Sequence, residues 1–346
     1  MTPLLELFGV SWTAQAPVVA AEWLRDGSGV GFAFGDGRMA WAQAAHPMAP
    51  EPVSLPPHGA TCLAFVADAE DGWLSAGDDG RVLQVLRDGR SVPLVERPGA
   101  WMGLLAAGAR GARACAAGRQ LLRLSGGATR DVSLPSPATA IAFDPSGRVL
   151  AAAHHGGVSL WSGEGSSLRT LRAPGYCRSL AWSPDGRYLV AGLQENALHG
   201  WRVADGGDIE MAGYPGQPLS LSFTSEGRFL VTSGALRPVC WPFGPPRGHG
   251  APRECGMPSP SPVTRVACHA HLPLVAVGYH NGAVALCKPD AEGAIAVKAP
   301  GGREINALSW SADGQRLAFG SQSGGYGWLK LPVEHFQTPP ARNSRV

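Results

Sequence analysis

A motif of about forty residues recurs along this chain, and a repeat of that length limits the possible folds more than any other feature. Residues 141–150 read Ile-Ala-Phe-Asp-Pro-Ser-Gly-Arg-Val-Leu, residues 180–189 read Leu-Ala-Trp-Ser-Pro-Asp-Gly-Arg-Tyr-Leu, and residues 221–230 read Leu-Ser-Phe-Thr-Ser-Glu-Gly-Arg-Phe-Leu. Each is a short alternating strand, a tight turn with a polar residue before glycine, and a second apolar strand. Residues 308–314 repeat the pattern. Anchoring on the aromatic-type position before the turn gives Trp23, Phe65, Leu104, Phe143, Trp182, Phe223, Cys268 and Trp310. Trp23 and Trp310 are 287 residues apart, seven steps of 41.

A second landmark follows in each unit, where a small or polar turn residue precedes a larger side chain by six positions. The pairs are Gly35–Trp41, Asp79–Val85, Gly118–Leu124, His155–Trp161, Glu195–Trp201, Ala235–Trp241, Asn281–Cys287 and Gln322–Trp328. They predict a third strand carrying a bulky residue between packed sheets. A fourth strand stops at proline in several units, as at residues 53–56, 92–98 and 132–135, because proline lacks a backbone donor and suits a strand end or edge. Four strands in about 41 residues is the arithmetic of a propeller blade.

The pattern resembles the WD40-repeat β-propeller family over residues 3 to about 333. The resemblance rests on the Ser-Pro-Asp-Gly-type turn, on the Ala-Gly or Ser-Gly closing the second strand (Ala76-Gly77, Ala191-Gly192, Ser233-Gly234), and on the tryptophan six residues after the turn. It implies an all-β ring of four-stranded blades; the eight anchors make the count eight, with seven as the alternative because the third unit lacks its Ser-Pro-Asp-Gly turn. The chain also departs from the family. No Trp is followed by Asp, the turn aspartate survives only at Asp79, and Gly-His occurs only at Gly248-His249. The family's buried Asp-His-Ser-Trp network is therefore expected to be complete in no blade. Residues 4–10 read as a strand that completes the last blade and closes the ring. The expected organisation is one propeller domain over residues 1–336 and a disordered tail over 337–346.

Composition excludes several functions. Lys+Arg 29 against Asp+Glu 27 leaves a formal net charge of +2, without the basic excess of a nucleic-acid binder. No run of eighteen apolar residues is present, and the start of the chain does not resemble a signal peptide. The seven cysteines form no C-x-x-C pair, which argues against a disulfide framework and for small buried side chains. The expectation is a cytoplasmic, monomeric protein of bacterial type with no membrane partner and no cofactor.

Cys268-His269-Ala270-His271 and Tyr279-His280-Asn281, with Cys255 and His249 upstream, supply thiol and imidazole groups. His269, His271 and His280 are weak metal candidates, because alternation along a strand lets at most two local ligands converge. No nucleophile elbow, phosphate-binding loop or H-E-x-x-H is found, so no catalytic residue is assigned and an enzyme is not expected. Most of the 11 tryptophans fall at packing positions, whereas Trp101 lies in a loop where an aromatic can anchor a partner. The fold implied by the resemblance suits a scaffold that docks a protein or peptide on the face carrying the fourth-to-first-strand and second-to-third-strand loops. Candidate contacts there are Trp101, His155, Tyr176, Glu195, Arg237, Tyr279, His280 and Arg303. The alternatives are a metal-binding accessory protein and a propeller enzyme such as a lactonase-like hydrolase.

Overall fold

The computed structural model describes residues 2–44, 52–55, 58–59, 61–125, 128–163, 165, 167–244, 248–332 and 336. The expected tail over 337–346 lies outside the described residues. The secondary structure is nearly all strand, in antiparallel sheets ordered by sequence, as the repeat predicts. Unit one comprises Val18–Trp23, Gly29–Phe34, Met39–Gln43 and Val53–Leu55. Unit two comprises Cys62–Ala67, Trp73–Gly77, Arg81–Val85 and Ser91–Glu96. The degenerate third unit is a full four-stranded sheet, Leu104–Ala107, Arg113–Ala117, Gln120–Ser125 and Ala128–Ser133.

Units four and five share one six-stranded sheet, so the ring holds seven hydrogen-bonded sheets among the described residues rather than eight separate blades. This matches the alternative count of seven. The fusion has a local cause. In unit four the second and third strands run on as a single strand, Leu150–Trp161, bent by a register shift between His155 and Gly157. Gly156 and Gly157 have φ of 87° and 145°, values a side chain resists, and they make a bulge where other units make a turn. The next strand, Arg169–Trp182, pairs first with the end of that strand and then with Tyr188–Leu193 of unit five.

Gly9–Thr13 pairs antiparallel with Gly325–Lys330 and completes the last sheet, so the N-terminal strand closes the ring. The strand begins later than expected, because Leu4–Phe8 is a short helix that packs Leu4 and Leu5 into the core of the last two units. Gly9 is required at this seam, since a Cβ there would lie 2.7 Å from the Trp328 carbonyl oxygen and 2.9 Å from Leu329 Cβ.

The sequence landmarks correspond to specific contacts. Trp23, Phe143, Trp182, Phe223, Cys268 and Trp310 each end the first strand of a unit, while Phe65 and Leu104 lie two and three residues before that end. Three anchor indoles donate across to the preceding unit: Trp23 to the Ser309 carbonyl at 3.0 Å, Trp182 to Ala142 at 3.2 Å and Trp310 to Ala267 at 2.9 Å. The aromatic therefore supplies both apolar burial and a hydrogen bond that fixes the angle between neighbours. Trp161, Trp201 and Trp328 of the second landmark are fully buried, as is Trp73.

Candidate functional site

Backbone hydrogen bonds define one face of the ring. In nearly every unit the linker entering the first strand meets the turn between second and third strands. Gly35 N–H donates to Pro17, Ala138 to Gly118, Gln194 to Tyr176, Gly216 to Gly234, His280 to Pro262 and Gln322 to Glu304, at 2.8–2.9 Å. The two loop classes expected to form a docking face therefore lie side by side.

On that face the sequence candidates fall into three groups. His155, Tyr176 and Glu195 meet above the fused sheet: the His155 and Tyr176 rings are 5.8 Å apart, and the Tyr176 backbone N–H donates to the Glu195 carboxylate at 3.3 Å. His280 is exposed, with Nε2 3.6 Å from Glu304 Oε2, and Arg303 is exposed beside it in sequence. Trp101 is 69% exposed and stands apart from both groups, before the first strand of unit three. Two other candidates serve the interior. Tyr279 is only 6% exposed, and burial pushes its phenol up to about 12. Arg237 is largely buried, donating from Nη2 to the Gly256 carbonyl at 2.7 Å with Nη1 3.6 Å from Glu254.

The metal candidates do not converge. His269 follows the first strand of unit seven, while His280 begins the turn after Val275–Tyr279 on the opposite face. Both ring nitrogens of His269 are occupied: Nε2 lies 2.8 Å from the Gly314 carbonyl, and Nδ1 accepts from the backbone N–H of His271 at 2.9 Å and of Leu272 at 3.0 Å. Burial lowers its pKa from the ordinary histidine value, which suits a neutral ring locking two neighbouring hairpins together. His271 Nε2 lies 3.1 Å from the Ala312 carbonyl, and His249 packs on Trp241. Cys255 is joined to Cys240 as a disulfide, a pairing the sequence did not suggest. Among the described residues no three His, Cys, Asp or Glu side chains are grouped to hold a metal.

Sequence reasoning missed a depression on this face, which lies over unit six. The strands there are Leu221–Phe223, Phe229–Thr232 and Val239–Gly244, and the outer strand is reduced to two short pieces, Gly248–His249 and Arg253–Glu254. A pocket of about 530 Å³ opens between units six and eight, with Leu219, Leu236 and Pro262 on its walls and Arg265, Glu304 and Asn306 among its polar groups. Arg265 is tied down by carbonyls, Nε to Asn306 at 2.6 Å and Nη1 to Thr264 at 3.0 Å. A second pocket of about 310 Å³ is lined by Tyr214, Val239, Trp241 and Pro252, and it shares Pro215, Ala235 and Leu236 with the first. Leu236 is 51% exposed on the wall common to both, and Leu219 is 41% exposed. The signal present in the sequence was leucine at two loop positions, residues 219 and 236, where the repeat otherwise places small or polar residues.

A polar network of the WD40 type is present in unit two. His58 Nε2 lies 2.7 Å from Ser75 Oγ and Nδ1 lies 3.0 Å from Asp79 Oδ2, beneath the same face. Val85 stands where the tryptophan would complete it, so the network holds three of its four members.

Residues 165–201 match the family model described as "WD domain, G-beta repeat". No curated protein matches the sequence. Among solved structures the chain is similar to the computationally designed Ika8 protein, with a TM-score of 0.74 and 16% sequence identity over 92% of this chain and 98% of that one, a likeness of fold. The chain is a β-propeller of antiparallel sheets, most of them four-stranded, that carries a WD40 repeat at residues 165–201.

Proposed function

We propose that the protein is a non-catalytic docking platform that holds an extended segment of a partner protein across unit six. The observation that carries this reading is the pair of pockets sharing Leu236, whose exposed side chain divides a continuous, mainly apolar depression. An extended peptide projects successive side chains at regular spacing, so one apolar residue enters each pocket while its backbone crosses Leu236. The ring holds these walls before the partner arrives, which keeps the ordering cost of binding low. His280 and Glu304 lie at the unit-eight side of the larger pocket, and Trp101, His155, Tyr176 and Glu195 offer further contacts to a partner larger than a peptide. The reading includes a monomer working in the cytoplasm without a cofactor. Against the metal-dependent alternatives stands the use of both His269 nitrogens in holding neighbouring hairpins.

Peptides selected from a random library on the purified protein test the proposal. The selected sequences are expected to carry two apolar residues, and Leu236→Glu should weaken them at least about ten-fold, equivalent to about 1.4 kcal/mol. Val92→Glu, on the outer strand of unit two, should bind as wild type. Equal binding by wild type and Leu236→Glu would refute docking at unit six.

A further inference from the structure

On the opposite face, where the first and second strands of each unit turn, two arginines of unit three stand together. Arg123 and Arg130 are register partners on the adjacent strands Gln120–Ser125 and Ala128–Ser133, so their side chains leave the same side of the sheet. Like charges directly opposite one another oppose strand pairing. Neither guanidinium is ion-paired with a carboxylate among the described residues. Both are held by backbone carbonyls instead. Arg123 Nη1 donates to Arg148 and to Ser162 at 2.8 Å each, and Nη2 donates to Gly147 at 3.3 Å. Arg130 Nη1 donates to Gly163 at 2.9 Å. The Arg123 guanidinium also lies 5.1 Å from the centre of the Phe143 ring.

These contacts fix two positive charges around a pocket of about 280 Å³ lined by Arg123, Ser125, Ala128, Arg130, Ser162 and Gly163. Gly163 has φ of 84°, and a Cβ there would approach the Arg123 guanidinium to within 2.7 Å. Among the described residues the carboxylate whose charge reaches Arg123 is Asp144, and its oxygens are engaged in its own hairpin by the Ser146 hydroxyl at 2.5 Å and the Val149 N–H at 2.7 Å. Burial first, then the charge of Arg130, work against the Arg123 cation, with Asp144 acting in the opposite sense.

We propose that this pocket is a phosphoryl-binding site. A phosphoryl group carries close to two negative charges at neutral pH and three acceptor oxygens, which match two fixed guanidinium forks better than a monoanionic carboxylate does. The site lies across the ring from the unit-six depression and does not depend on it. The phosphoryl group comes either from free phosphate or from a phosphorylated side chain, and the test distinguishes the two.

Titration calorimetry with inorganic phosphate and with O-phosphoserine, at constant ionic strength set by chloride, provides the test. Saturable binding at one site is expected, weakened at least about ten-fold by Arg130→Gln, an exposed position whose loss leaves the Arg123 contacts in place. Leu236→Glu should bind the same ligands as wild type, which separates this site from the docking surface. Tighter binding of O-phosphoserine assigns the pocket to a phosphorylated side chain, and equal binding assigns it to free phosphate. Absence of saturable binding by both ligands, or wild-type affinity in Arg130→Gln, overturns the proposal.

Discussion

Units two and six are built on one repeat and differ in what they do with their polar groups and their outer edge. Unit two has four full strands, a buried Trp73 whose indole donates to the Glu22 carbonyl at 2.8 Å, and the His58–Ser75–Asp79 network. It is tied to unit three by Asp68, which receives two hydrogen bonds from Arg113 at 2.8 and 2.6 Å. Unit six replaces the regular outer strand with two fragments, and its interior network is a different set of three, Tyr214, Thr232 and Trp241. Its second-to-third-strand turn presents Ala235-Leu236 where unit two presents Asp79-Gly80. The difference teaches that the ring accommodates a unit whose outer strand is broken, and that this unit opens the depression formed by the two pockets.

Three experiments can break or sharpen that contrast. The largest effect is expected from His58→Ala, which leaves Ser75 and Asp79 without their shared partner under the docking face. It should cost about 2–4 kcal/mol in urea unfolding. The second is Glu22→Gln on the unit-one side of the same interface. Burial raises the Glu22 pKa from 4.5 to about 7, so the folded chain holds a proton that the unfolded chain releases. Stability contributed by this group is complete below pH 4.5 and is lost as pH rises through about 7. The partial exposure of Glu22 tempers the cost, and Glu22→Gln should gain about 1–3 kcal/mol at pH 8 and almost nothing at pH 4. A gain of equal size at both pH values would exclude ionisation as the cause. The smallest effect is expected from Tyr214→Phe in unit six. The Tyr214 hydroxyl accepts the Trp241 indole N–H and pairs with Thr232 Oγ1, each at 2.6 Å, and its loss should cost about 1–2 kcal/mol. If Tyr214→Phe destabilises as much as His58→Ala, the two units are equally tied and the contrast fails.

Much of the ring was legible because its signals are periodic. The 41-residue step, the glycine of the first hairpin and the tryptophan six residues after the second turn are set by geometry common to every unit. Gly147, Gly186, Gly227 and Gly314 all have φ near +70°, which only glycine adopts freely. Ring closure was legible because a strand without a partner at one end matched a missing strand at the other. What escaped the sequence depends on single residues away from the period. The Gly156–Gly157 bulge that fuses units four and five looks like any other glycine turn. His58 follows Pro57 rather than a glycine, so a search for Gly-His passed over it. Tyr279 and Arg237 sit at loop positions on the face proposed for docking, but burial turns them inward, and no periodicity reports on that. The pockets of unit six arise from an outer strand that breaks off, a tertiary event visible in sequence only as two leucines in loops.

The seam between Gly9–Thr13 and Gly325–Lys330 sets an order in time as well as in space. Gly9 pairs with Leu329, 320 residues later. During synthesis the early strand therefore emerges with both edges unpaired and waits until Leu329 has left the ribosome. Earlier units can fold as hairpins from local pairings as they appear, but the last sheet cannot assemble before its final strand is made. The most exposed intermediate of this protein is thus a nearly complete, open ring, and the interval before closure is when a chaperone would have most to protect.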